Sequence, residues 1–133
     1  YHVPYYIAYV AIGYKTSYDW DLPLSAMFND PYSDLIPSYF NGKYSGYEIN
    51  SILTDDLSLL LTSNFRNNIN SDPDLKVIVD AFEENSLDNW IPKKKMFMYH
   101  GTDDITVPYQ NSVDTYNNFI SLGADKSKIE FIQ

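Results

Sequence analysis

Four consecutive apolar residues, Met96-Phe97-Met98-Tyr99, place the tightest limit on how this chain can fold. A short, unbroken apolar run is the mark of a strand buried on both faces, and such strands belong to parallel sheets covered by helices. The residues beyond it agree. A polar turn leads to Pro108, and from there to Leu122 the residues Val113, Tyr116, Phe119 and Ile120 recur at helical spacing. Gly123 then suits the residue just past a helix end, and Ile129 to Ile132 forms a second short apolar strand. Strand, helix, strand is a βαβ unit, whose two strands must run parallel. The chain is therefore expected to be of the α/β class.

The part before this unit has a different texture. Pro4 to about Lys15 is apolar on nearly every side. It reads as a buried helix with Pro4 at the first position and Gly13 weakening the far end. A strand stays open as the alternative, since Tyr, Ile and Val also favour strands. A helix apolar all round needs cover on all sides. From Ser17 to about Ile52 the chain is loop-like, with Pro23, Pro31 and Pro37 interrupting short apolar stretches and Asn41-Gly42 marking a turn. Short helices are expected at Leu24–Phe28 and Ser33–Phe40. Thr54-Asp55-Asp56 opens an amphipathic helix with Leu57, Leu60, Leu61 and Phe65 as its buried stripe. Asp72-Pro73-Asp74 opens another, in which Leu75, Ile78, Val79 and Phe82 follow at helical spacing, and it should stop near Asn85. Ser86 to Pro92 is a connector. Two regions result: a helical one over 1–92 and the βαβ segment over 93–133.

Composition narrows the function. With 44% hydrophobic and 20% charged residues, 133 residues make one domain's worth of globular chain, not a disordered one. A net charge of -9 argues against nucleic acid, whose phosphates are bound by Lys and Arg, and against an anionic membrane surface. The basic run Lys93-Lys94-Lys95 reads as a solvated lead-in to a strand. The absence of cysteine removes disulfides, thiol nucleophiles and thiolate metal sites, and leaves the compartment open. No apolar run approaches the roughly 20 residues of a membrane span. The 13 tyrosines suit cleft walls and half-wet surfaces, because an apolar ring carries a polar tip; general compositional habit explains them equally well. The chain starts at Tyr1 with no signal-peptide pattern, so a processed product or a piece of something longer is expected.

One turn carries chemistry: His100-Gly101-Thr102-Asp103-Asp104-Ile105-Thr106-Val107-Pro108. Functional groups in open α/β sheets collect beyond the carboxyl ends of strands, which is where this turn lies. Gly101 is expected to let the chain bend sharply and Pro108 to start the next helix. Aspartates here either shape the turn, as Asx residues do, or present a carboxylate to a partner. Asp103, Asp104 and Asp114 carry the oxygen ligands that Ca²⁺ or Mg²⁺ takes, but their spacing fits no EF-hand loop. Glu83-Glu84 reads as a solvated helix end.

The turn resembles the HGxxDxxVP pattern that follows the seventh strand in α/β hydrolases and bears the acid of their catalytic triad. In that register the acid is Asp104, and Asp103 occupies a variable position. Onward through Tyr109-Gln110-Asn111-Ser112, the chain looks like secreted esterases and lipases of this family, bacterial ones in particular. The upstream part, from YHVPYYIAYVAIGY through NDPYSDLIPSYFNG, is similar to the helical insertion those enzymes carry after strand six as a cap over the active site. The resemblance thus implies a partial α/β-hydrolase fold, a mostly helical cap segment followed by a βαβ unit. It also implies a carboxylic ester as substrate, no metal or organic cofactor, and a secreted or periplasmic location.

Two thirds of the triad are missing. Nothing fits the Gly-x-Ser-x-Gly nucleophile elbow: Ser45 in Gly42-Lys-Tyr-Ser45-Gly46 has its first glycine one place too far away. The family's histidine follows strand eight, where this sequence stops. His100 belongs to the turn and is expected to bond within it, and His2 is expected to be a surface residue at the entry to the first helix. A fragment inactive by itself is expected, associating with itself or with the missing part of the fold. The rival reading is a non-catalytic binding module that keeps part of the hydrolase fold.

Overall fold

A computed structural model of the chain describes residues 4–132, and His2 lies outside them. The chain divides into two compact units, one reaching Glu84 and the other starting at Asn85.

The first unit is all helical. Its opening helix, α1 (Pro4–Ser17), forms as the sequence predicts, but it is not covered all round. Ala8 and Ala11 are buried, whereas Tyr6, Tyr9 and Val10 are exposed. Tyrosine makes this tolerable, since its ring packs while its hydroxyl stays wet. A 3-10 turn covers Leu24–Ala26, and α2 spans Tyr32–Tyr39. Pro37 sits inside α2 without breaking it; in a helix of about two turns it removes a single backbone donor.

The expected loop holds a further helix, α3 (Gly46–Ile52), started by a capping box. The Ser45 side chain accepts from the Glu48 amide, and the Glu48 carboxylate accepts from the Ser45 amide. The single amphipathic helix expected after Thr54 is instead two, α4 (Leu57–Leu60) and α5 (Ser63–Asn68). The break has a tertiary cause. Leu61 pairs antiparallel with Phe28, Thr62 caps α5 and donates to the Ala26 carbonyl, and the Asn29 side-chain Nδ2 donates to the carbonyls of Leu59 and Leu61. Asp72 caps the next turn with Pro73 at its first position, leading into α6 (Lys76–Glu84). Leu75 and Ile78 are buried there, while Phe82 is half-exposed. Phe28, Met27, Ile36, Leu60, Leu75 and Ile78 are the largest fully buried side chains of this unit's core.

The second unit is the predicted βαβ. Strand β1 (Met96–Tyr99) pairs in parallel with β2 (Ile129–Ile132), Met96 opposite Ile129 and Tyr99 opposite Ile132. Helix α7 (Tyr109–Ser121) joins them, and Gly123 just past its end holds a positive φ of 98°, the conformation glycine adopts without strain. The expectation of a strand buried on both faces is corrected. Met96 and Met98 pack with Phe119 and Ile129, but Phe97 and Tyr99 on the other face are exposed. One helix covers one face of a two-stranded sheet, and no more.

Candidate active-site loop

The loop from His100 to Pro108 leaves the carboxyl end of β1 and enters α7 at Pro108. Its first residue still belongs to the sheet, the His100 amide donating to the Ile132 carbonyl at 3.2 Å. The chain then turns back, and the Asp104 amide donates to the Gly101 carbonyl at 3.2 Å. Gly101 does this without a positive φ, correcting the expectation that the bend needs glycine's special freedom; positive φ is confined to Gly42 and Gly123 among the described glycines.

Asp104 is wired into the turn through one of its two oxygens. Its Oδ1 accepts from the Thr106 amide at 2.8 Å and from the Val107 amide at 2.9 Å. These donors, Val107 first and then Thr106, hold its carboxyl below the ordinary aspartate range against the opposing effect of desolvation. The second oxygen, Oδ2, lies 3.7 Å from His100 Nε2, beyond hydrogen-bond distance. Oδ1 thus shapes the turn, as Asx residues do, while Oδ2 accepts no hydrogen bond from the described residues. Asp103 is exposed and has no hydrogen-bond or ion-pair partner among the described residues.

His100 bonds within the turn, as its place in the motif suggested. Nε2 contacts the Val107 carbonyl at 3.0 Å and Nδ1 contacts the Ser112 hydroxyl at 2.6 Å, with the Tyr109 ring edge-on at 5.7 Å. Ser112 is the residue that sequence reasoning passed over. It sits on the inward stripe of α7 beside Val113 and four residues before Tyr116, and a polar side chain on such a stripe signals a specific partner.

The other sequence candidates resolve into structural roles. Ser45 is a helix cap. Asp114 accepts from Gln110 one turn earlier on α7, and no group of three or more potential metal-ligating side chains gathers among the described residues. Lys95 pairs loosely with Glu130 and lies over the Phe97 ring, and Glu83 and Glu84 are exposed. No helix among the described residues is long and apolar enough to cross a membrane. Within the helical unit, Tyr6, Val10, Tyr14, Trp20, Phe65 and Phe82 help to wall an apolar recess of about 360 Å³.

No protein-family model and no curated protein matches the sequence. Solved structures do match. A candidate hydrolase from Legionella pneumophila superposes with a TM-score of 0.78 at 22% identity, covering 96% of this chain and 33% of that one. The rice cell wall degrading esterase LipA from Xanthomonas oryzae, in a ligand-bound form, superposes with a TM-score of 0.76 at 21% identity, covering 95% and 33%. A further structure of LipA gives 0.73 at 20% identity. The chain therefore has the fold of one part of these proteins, a helical segment followed by a βαβ unit, and spans about a third of their length.

Proposed function

We propose that this chain is part of a serine hydrolase acting on carboxylic esters, in which Asp104 is the acid of the catalytic triad. The carrying observation is the division of labour on its carboxylate: Oδ1 fixed by two backbone amides, Oδ2 unbonded, at the carboxyl end of a parallel strand. A carboxylate so held is pre-oriented and ionised, as a group that steers a histidine must be.

The serine and histidine come from outside these 133 residues. In the proposed reaction the histidine donates Nδ1–H to Asp104 Oδ2, which fixes its tautomer and leaves Nε2 facing the serine hydroxyl. The serine attacks the ester carbonyl as Nε2 takes its proton, and Asp104 stabilises the imidazolium that forms. The imidazolium returns the proton to the leaving alcohol. Water then cleaves the acyl-serine by the same route in reverse, and neither step requires a metal or organic cofactor. The helical region acts as the cap, its apolar recess, walled in part by aromatic rings, suiting the acyl or alcohol part of the substrate. An ester substrate is favoured because one of the proteins sharing this fold is a cell wall degrading esterase.

The test is a pair of substitutions in the whole protein, read by turnover of a p-nitrophenyl ester. Asp104→Asn is expected to lower kcat by a factor of about 10⁴ with the fold intact, as loss of a triad aspartate does. Asp103→Asn is expected to change it little. A reversed order would move the acid to Asp103, and turnover by the 133-residue chain alone would overturn the reading.

A further inference from the structure

We infer that His100 is a positioning residue, whose imidazole clamps the loop that presents Asp104 between the Val107 carbonyl and the Ser112 hydroxyl. Its functional meaning rests on the reading of Asp104 given above; its geometry does not.

The hydrogen bonds determine where the ring proton sits. The Val107 carbonyl can only accept, so Nε2, 3.0 Å away, carries the proton. In the neutral ring Nδ1, 2.6 Å from Ser112 Oγ, then accepts from the hydroxyl. The ring is thus fixed at both nitrogens, and its plane is further set by the edge-on Tyr109 ring. The side chain is only 10% exposed, so water would replace a lost partner poorly.

Three elements meet in this one residue. Its backbone ends β1 through the bond to Ile132, Nε2 holds the end of the loop at Val107, and Nδ1 holds the first turn of α7 at Ser112. Val107 is also the residue whose amide donates to Asp104 Oδ1. Fixing its carbonyl therefore keeps its amide aimed at the carboxylate, and so decides where Oδ2 points. With one nitrogen protonated onto a carbonyl and the other occupied by Ser112, His100 has no free lone pair with which to act as a general base. Its work is done on the loop.

The experiment uses the 133-residue chain and needs no turnover, so it stands or falls separately from the activity of Asp104→Asn. Nitrogen-15 NMR of the imidazole should show the neutral ring protonated at Nε2 and not at Nδ1. The titration of the Asp104 carboxyl, followed by its carbon-13 shift and by the Thr106 and Val107 amide protons, should lie below the ordinary aspartate range in the natural chain. It should move upward in both Ser112→Ala and His100→Phe. His100→Gln, which keeps a side-chain donor for the Val107 carbonyl, should restore part of the difference. A neutral ring protonated at Nδ1 would overturn the inference. So would an Asp104 titration unchanged in Ser112→Ala and His100→Phe, and if the phenylalanine variant fails to fold, Ser112→Ala alone decides.

Discussion

The helical unit and the βαβ unit solve the same problem with unequal means. Fourteen buried hydrophobic residues form the helical unit's core, from Ala8 on α1 to Ala81 on α6. The βαβ unit gathers three, Phe119, Ala124 and Ile129, and leaves Phe97 and Tyr99 in water. Charge is divided as unevenly. Up to Glu84 the bases are only Lys15, Lys43, Arg66 and Lys76 against twelve acids, while from Asn85 on five lysines nearly balance six acids. The difference teaches that the larger core and the candidate site lie in different units. The unit that closes its own core carries no candidate catalytic group, and the unit that carries Asp104 relies on backbone ladders and loop hydrogen bonds more than on buried surface.

That contrast can be broken most directly in the two cores. Phe119→Ala removes the largest member of a three-residue cluster and is expected to abolish the folded βαβ unit, seen as collapse of the amide signals of β1, α7 and β2. Phe28→Ala should cost about 3–5 kcal/mol, as large-to-small changes at fully buried aromatics do, and appear as a lowered denaturant midpoint of the helical unit. If the Phe119 variant keeps its sheet, the small core is more self-sufficient than its three residues suggest. A smaller effect sharpens the helical side: Ser45→Ala should cost about 1 kcal/mol by removing the α3 cap, again read from denaturant unfolding.

The smallest effect expected is on pH dependence. Glu48, Asp56 and Asp72 in the helical unit, and Asp104 and Asp125 in the other, all have carboxyls held below their usual range by hydrogen bonds. For Asp72 the main donors are the Asn64 side chain and the Asp74 amide. A depressed folded-state value means that the carboxylate stabilises the fold above its unfolded pKa, and that this is lost as pH falls through the folded one. Asp72→Asn should therefore make the helical unit's melting temperature fall less steeply on acidification than in the natural chain. Circular dichroism melts from neutral pH downward measure it, and an unchanged slope would mean that the Asn64–Asp72 contact contributes nothing.

Much of the βαβ unit was legible in the sequence because its signals are local. The Met96–Tyr99 run, Pro108 before the helix and Gly123 after it each mark a boundary within a residue or two of where the chain turns. The helical unit was less legible for two different reasons. The Ser45-x-x-Glu48 capping box was written in the chain and went unread amid loop-like residues. The break between α4 and α5 was not written locally at all, since it depends on Phe28 and Asn29, some thirty residues away. At the candidate site, the turn that carries Asp104 could be read, but not the split use of that carboxylate's two oxygens or the Ser112–His100 contact, which arise only once strand, loop and helix are assembled.

Position 46 links two distant points of the sequence. A Cβ on Gly46 would meet the Tyr5 ring at 3.0 Å, closer than side chains ordinarily approach, so the start of α3 lies directly against α1. Glycine there leaves the flat ring its space, and the Tyr5 amide beside it is held by the Asn50 side chain at 2.9 Å. Over evolutionary time such a pair should vary jointly: a lineage that trades the tyrosine for a smaller residue becomes free to accept alanine at 46, and one that keeps the ring keeps the glycine.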